Sequence, residues 1–201
     1  MADASRTVSR RGLLAHALAT AAERMAGAAQ AALDAVQQQA QENMRRAVEA
    51  RPVLPPGAGS LARFRQSCTR CDDCIRACPP MVIRKAGPET GEHSGYPLLL
   101  PDEGPCKLCD GFPCVAACSP GALSPVTRWL VRLGVADVRT ADCLLSSGQP
   151  CDYCVRACPE RPRALAWSAA GPPEVSRERC TGCGECAWIC PARAIRVVAG
   201  A

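Results

Sequence analysis

Between residues 14 and 47, small or apolar side chains recur at Leu14, Leu18, Ala22, Met25, Ala29, Leu33, Val36, Ala40, Met44 and Ala47. Steps of three and four residues are the period of one helix face. The opposite face carries Glu23, Arg24, Gln30, Asp34, Gln38, Glu42 and Arg45, which makes the predicted helix amphipathic. The eleven-residue recurrence of Leu14, Met25, Val36 and Ala47 keeps the stripe nearly straight along a long helix. Pro52, and then Pro55, Pro56 and Gly57, end it. A stripe so rich in alanine packs closely but weakly, so we expect it to dock on the rest of the chain or on a partner. Further along, the pattern shortens to strand-length apolar runs: Met81–Arg84, Tyr96–Leu100, Ala164–Trp167 and Ala194–Val198. Gly87-Pro88-Glu89-Thr90-Gly91 between the first two runs is turn chemistry.

Composition divides the chain in the same way. Met1 to Ala50 holds 16 alanines and no cysteine, whereas all 16 cysteines lie between Cys68 and Cys190. Aromatic residues make up only 3%, so large rings cannot supply the usual share of buried area, and something besides side-chain packing must hold the cysteine-rich part together. No run approaches the roughly 18 consecutive apolar residues of a membrane-spanning helix. We expect an Ala-rich helical arm over residues 1–51, a Pro/Gly linker over 52–67 and a cysteine-rich domain over 68–198. The formal charge of +5 counts every cysteine as a neutral thiol.

The cysteines fall into four groups of four. The first is Cys68-x2-Cys71-x2-Cys74-x3-Cys78-Pro79, and the last is Cys180-x2-Cys183-x2-Cys186-x3-Cys190-Pro191. Both match the bacterial ferredoxin run, in which three closely spaced thiolates wrap one cluster and the fourth reaches its neighbour. The second, Cys106-x2-Cys109-x4-Cys114-x3-Cys118, lengthens the middle spacing, and the third, Cys143-x7-Cys151-x2-Cys154-x3-Cys158-Pro159, lengthens the first. A disulfide framework belongs to smaller chains in oxidising compartments, and structural zinc favours C-x2-C pairs a dozen or more residues apart. Three cysteines in consecutive two-residue steps followed by x3-C-P are unlike either. The spacing therefore predicts four 4Fe-4S clusters held by these sixteen cysteines, in an α+β fold of two bacterial-ferredoxin-like (βαββαβ) dicluster units behind the N-terminal amphipathic helix. Gly182 and Gly184 are expected to let backbone amides approach the fourth group's cluster.

Taken together, these segments resemble the ferredoxin-type accessory proteins of periplasmic nitrate reductase, of NapF and NapG (MauM-like) type. Cys68 to Pro79 is similar to their first motif, and the proline-bearing Arg51 to Gly57 to the segment leading into it. Cys106 to Leu123 is similar to the second NapG motif, as are Leu133 to Ala136 through Cys143 and Cys151-Asp152-Tyr153-Cys154 to its next segment. The resemblance covers roughly Arg51 to Val198. Ser9-Arg10-Arg11-Gly12-Leu13-Leu14 resembles a twin-arginine export signal, but Glu23 and Arg24 interrupt the apolar stretch after it. The short N-terminus is NapF-like and implies a cytoplasmic protein, with periplasmic export as the alternative. In related four-cluster subunits the first and fourth groups share one cluster pair, and the second and third share the other. That pairing joins Cys68, Cys71 and Cys74 with Cys190, and Cys180, Cys183 and Cys186 with Cys78. It also joins Cys106, Cys109 and Cys114 with Cys158, and Cys143, Cys151 and Cys154 with Cys118. The hairpin-like linkers argue for the rival scheme, neighbour with neighbour.

The resemblance implies an electron carrier without a substrate site, passing single electrons to or from a molybdenum oxidoreductase or its quinol-oxidising membrane subunit. Its alternatives are a cytoplasmic maturation factor that binds the immature molybdoenzyme and assists cluster loading, and a fixed subunit of a larger redox complex. The chain has no phosphate loop or dinucleotide fingerprint. His16 on the arm and His93 in a turn read as solvated side chains, and scattered arginines without aromatic interleaving do not read as a nucleic-acid surface. Sixteen thiolates on four oxidised clusters would add about −2 per site, turning the formal +5 into a net charge of about −3.

Overall fold

The computed structural model describes residues 10–49, 52–169 and 171–199. The chain divides into two units, Met1–Asn43 and Met44–Ala201. Helix α1 runs Arg10–Glu49 without a break, as the periodicity predicts. Ser9 of the arginine motif lies outside the described residues, as do the side chains of Leu14, Met44 and Ala47. The stripe residues Leu18, Met25, Leu33 and Val36 are 59% to 74% exposed. No described helix is long and apolar enough to cross a membrane.

The second unit is a mixture of short helices and three two-stranded antiparallel sheets. Strands β1 (Ile83–Lys85) and β2 (Pro97–Leu99) pair with Ile83 opposite Leu99. The turn between them coils as a 3-10 segment over Pro88–His93, and Thr90 and His93 are buried. His93 is therefore not the solvated side chain expected from its turn context. The hairpin is closed by the amide of Ala86 donating to Tyr96 and that of Gly95 donating to Ala86, which folds the turn in.

Residues 52–67 read as a linker by composition, but they pack into the second unit. Val53 bridges Leu99, and Pro55 and Pro56 are fully buried. The hydroxyl of Ser60 accepts the Arg63 amide at 3.3 Å and caps α2 (Leu61–Ser67). Phe64 on that helix is 1% exposed and fills the larger core.

The two halves of this unit differ in completeness. The second runs β3 (Gly134–Val138), α5 (Tyr153–Ala157), β4 (Leu165–Ser168), β5 (Gly171–Val175), α6 (Glu185–Ile189) and β6 (Ile195–Ala199). Here β3 pairs with β6 on the outside and β4 with β5 as a hairpin, which is the strand–helix–strand–strand–helix–strand order expected. The first half has α3 (Asp73–Arg76), β1, β2 and α4 (Pro113–Ala116), but among the described residues it has no outer strand pair. Pro52, Pro55 and Pro56 have no amide to donate to a ladder. The ends are joined instead by the Ser124 amide donating to Gly57 at 2.9 Å. Arg63 adds a fork of hydrogen bonds to the carbonyls of Ala58 and Gly121 and to the Ser124 hydroxyl.

Three apolar clusters result among the described residues, and cysteines line the two larger ones. Cys74, Cys78, Cys114 and Cys183 sit with Phe64, Ile83, Leu99, Leu108 and Phe112 in the larger, while Cys154 and Cys186 sit with Val155, Leu165 and Ile195 in the smaller. The scarcity of aromatic residues thus leaves cysteine-lined space where rings usually pack.

Candidate functional site

The four cysteine groups adopt a shared local design. Each of α3, α4, α5 and α6 carries its group's third cysteine at its second position: Cys74, Cys114, Cys154 and Cys186. Each of these thiols is buried. Before each helix of the first, second and fourth groups the chain turns through left-handed residues. Arg70 and Asp72, Leu108 and Phe112, and Gly182 and Gly184 all have positive φ. Three residues past the fourth cysteine of these groups the same conformation returns, at Met81, Gly121 and Arg193. Backbone alternating in this way turns successive N–H groups inward and forms an anion-binding concavity of the kind found at phosphate and iron–sulfur sites. Five of the nine are neither glycine, aspartate nor asparagine, so they carry a cost of roughly 1–3 kcal/mol each that only surrounding structure sustains. Leu108 sustains it by burying its side chain at 3% exposure.

The amides reach the sulfurs. The Arg70 amide donates to Cys68, Leu108 to Cys106, Glu160 to Cys158 and Glu185 to Cys183, in each case from two residues downstream. Leu123 and Ala194 donate to Cys118 and Cys190, both at 3.3 Å, and Ala136 donates to Cys180 at 3.4 Å. Such donors stabilise thiolate and raise the potential of a cluster bound there. Burial acts first and in the opposite sense. It pushes the thiols of Cys74 and Cys106 up to about 12 and those of Cys114 and Cys154 up to about 11, and it also raises Cys186. A buried thiol of this kind stays protonated at neutral pH unless a cation takes its charge.

The sulfurs assemble in four sets of four, each three plus one. Cys68, Cys71, Cys74 and Cys118 line one cavity. Cys106 has Cys109, Cys114 and Cys78 as electrostatic neighbours. Cys143, Cys151, Cys154 and Cys190 line another cavity, and Cys158, Cys180, Cys183 and Cys186 line the last. The sequence-based pairing of first with fourth and second with third group is thereby corrected. Cys118, not Cys190, completes the Cys68 set, and Cys78, not Cys158, completes the Cys106 set. Likewise Cys190, not Cys118, completes the Cys143 set, and Cys158, not Cys78, completes the Cys180 set. The cause is local: α3 packs on α4 and α5 on α6, so the cysteine leaving each helix arrives at the loop wrapped before its partner helix.

The two glycines of the fourth group serve packing. A Cβ on Gly182 would lie 2.6 Å from the Gly134 carbonyl oxygen and nearer still to its amide, and one on Gly184 would lie 2.5 Å from Pro101 Cβ. Their missing side chains admit neighbouring backbone, while both glycines also line the cavity of the fourth group's cysteines. Nothing in residue type announced the left-handed positions of Arg70, Leu108, Phe112, Met81 and Arg193, and the amide donors have no side-chain signature at all.

With this geometry in place, comparison with known proteins is informative. The 4Fe-4S binding domain family matches residues 173–196, the stretch around the fourth group. The chain is 36% identical over 157 residues to the methylamine utilization ferredoxin-type protein MauM of Methylorubrum extorquens, covering 71% of this chain and 69% of that one. It is 30% identical over 149 residues to the ferredoxin-type protein NapF of Escherichia coli, covering 71% and 82%. The chain belongs to the ferredoxin-type NapF, NapG and MauM family. Against NapG of Escherichia coli identity is 32% over 151 residues, and this chain spans 65% of that protein's length. No solved structure matches.

A ferredoxin-type chain binds iron–sulfur clusters, and the residues present fit that group. The donors are all cysteine sulfurs, ringed by amides pointing inward. Among the described residues no three or more His, Cys, Asp or Glu side chains converge closely enough to hold a single metal ion. Four cysteine sulfurs grouped in this way could hold an iron–sulfur cluster, and three of the four sets line a cavity.

Proposed function

We propose that this chain is a non-catalytic electron carrier holding four 4Fe-4S clusters in two ferredoxin-like units, one in each half of the cysteine-rich part. The reading rests above all on the four cysteine sets, each made of the first three cysteines of one group and the fourth cysteine of its neighbour. Cys68, Cys71, Cys74 and Cys118 hold one cluster; Cys78, Cys106, Cys109 and Cys114 the second; Cys143, Cys151, Cys154 and Cys190 the third; Cys158, Cys180, Cys183 and Cys186 the fourth. Each cluster, when bound, takes up and releases one electron between its 2+ and 1+ core states. The chain's own residues fix the four sulfurs, aim amide dipoles at them and cover them with Phe64, Leu108, Ile195 and their neighbours, which keeps water and stray oxidants away. The partner is a redox protein of a molybdenum-dependent or methylamine-oxidising system, a reading supported by the names of the NapG and MauM relatives. The site of action is the cytoplasm, with twin-arginine export as the competing location.

Anaerobic iron and sulfide counts with EPR of the reduced protein test this directly. About sixteen irons per chain are expected, and Cys71→Ser should lower the count by one cluster and abolish support of partner turnover. Binding confined to a partner enzyme that has not yet received its clusters, with no electron exchange with the mature one, would establish the maturation reading instead.

A further inference from the structure

Among the contacts between the halves of the second unit, a loop-to-loop contact joins cysteines from both. The Cys106 amide donates to the Cys183 carbonyl at 2.8 Å. One residue on, the Lys107 ammonium pairs with the Glu185 carboxylate at 2.6 Å. Between these, Gly184 lies flat against Pro101, which follows β2. Cys183 also belongs to the same apolar core as Cys74, Cys78 and Cys114 of the first half. Cys106 and Cys183 each hold a different one of the four proposed clusters, so this hydrogen bond joins a ligand of one to a ligand of the other. Inside the halves the sets are already neighbours: Cys74 faces Cys114, and Cys186 faces Cys154.

We propose that the Cys106–Cys183 peptide contact is the electron junction between the two cluster pairs, and that it sets a linear order through the chain. The order is the Cys68 site, the Cys106 site, the Cys180 site and the Cys143 site. The inner two sites touch the junction, while the Cys68 and Cys143 sites are the terminals at which partners exchange electrons. In the step across the junction one electron leaves the Cys106 site, whose core goes from 1+ to 2+, and enters the Cys180 site, whose core goes from 2+ to 1+. No bond breaks and no proton moves. Cys71, at one terminal, is the exposed member of the sixteen, the others being buried or partly buried, and half-exposed Tyr153 borders the other terminal. This order rests on the four-cluster reading above.

The test uses the loaded protein, reduced with dithionite and read by iron count and by spin–spin broadening in EPR. Lys107→Glu places like charge against Glu185 at the junction and alters neither a cysteine nor a residue of the amide-lined turns. It is expected to keep about sixteen irons, to lose broadening between the pairs while keeping it within each pair, and to slow electron equilibration between them at least tenfold. Full iron with unchanged broadening and rate would overturn the junction. Cys180→Ala tests the order independently of that variant. Removing the Cys180 site should leave the Cys143 site magnetically isolated and sharp, whereas Cys71→Ala should leave three sites coupled in series. A Cys143 site that stays coupled after Cys180→Ala overturns the order. Iron far below sixteen in the unaltered protein overturns the four-cluster reading itself, a result distinct from either of these.

Discussion

Gly182→Ala isolates the close approach that seats the fourth cysteine loop on the outer strand pair. Gly182 has a φ of +71° and lies where a Cβ would overlap the backbone of Gly134, the first residue of β3. Left-handed backbone costs an alanine about 1–2 kcal/mol, and a methyl group forced into filled space adds about 1–3 kcal/mol. Their sum, roughly 2–5 kcal/mol, is a large share of the stability of an ordinary domain. Gly111 supplies an internal control, because its φ is +68° and a Cβ there would meet nothing within 4 Å. Gly111→Ala should therefore carry the backbone cost alone, about 1–2 kcal/mol. In a chain of this length each kcal/mol moves the midpoint by about 2–4 °C, so Gly182→Ala should melt roughly 2–12 °C below Gly111→Ala. The assay is anaerobic thermal unfolding of the loaded protein followed by circular dichroism and visible absorbance at one fixed scan rate, since cluster loss makes the transition irreversible. Equal midpoints for the two variants would refute the argument that β3 backbone fills the space beside Gly182.

The remaining predictions are narrower. Cys118→Ala should remove the same EPR signal as Cys74→Ala, and Cys190→Ala the same signal as Cys154→Ala; a match between Cys190→Ala and Cys74→Ala would restore the rejected pairing. Burial raises the Cys74, Cys106, Cys114 and Cys154 thiols to about 11–12, so in the empty protein they are protonated at neutral pH and the thiolate fraction rises up to tenfold per pH unit. The initial rate of iron incorporation should accordingly fall as pH falls from about 8 to about 7, with protons released on loading, and a flat rate would contradict this. Arg63→Ala removes the hydrogen bonds to Ala58, Gly121 and Ser124 and should cost about 1–3 kcal/mol, with Arg63→Lys failing to restore it because an ammonium lacks the planar fork. A reporter fused after Ala50 should stay inside the cell, and its appearance in the periplasm would establish export.

Much of the chemistry is legible in spacing alone, because side-chain identity and separation decide which sulfurs can wrap a cluster. The helix α1 periodicity and four of the six described strands follow from pattern in the same way. What escapes is backbone. Strand β5 begins Gly171-Pro172-Pro173, and two prolines argue against a strand unless its hydrogen-bonding partner lies on one side only, as it does in the β4–β5 hairpin. Strand β3 is short and starts at a glycine, with its partner β6 about sixty residues away, so no local signal marks it. Proline content made residues 52–67 look like a tether, yet Pro55 and Pro56 are fully buried, since a ring without an amide packs well where no hydrogen bond is needed. The pairing of the fourth cysteines turns on which short helices lie side by side, and four-residue helices such as α3 and α4 carry no packing stripe to read.

Neighbour pairing also explains why the incomplete first half tolerates its missing outer strands. In the second half β3 and β6 clamp the two ends, and Ala136 and Ile195 of those strands pack with Cys154 and Cys186. In the first half the clamp is reduced to one backbone hydrogen bond and the Arg63 fork, and α2 with Phe64 covers the opening instead. Had the first group shared its sites with the fourth, each half would have to stay in register across the whole chain for any site to exist. With each half supplying both of its own cysteine sets, the Cys106–Cys183 contact is the one that ties a set of one half to a set of the other. Three structural features set that contact: an amide donating to a carbonyl, a lysine–glutamate pair, and a glycine pressed on a proline. They cost the sequence few residues, yet they join the backbone of the two inner cysteine sets directly. A fold built this way can vary its outer strands while keeping the backbone contact through which the proposed electron passage between the halves would run.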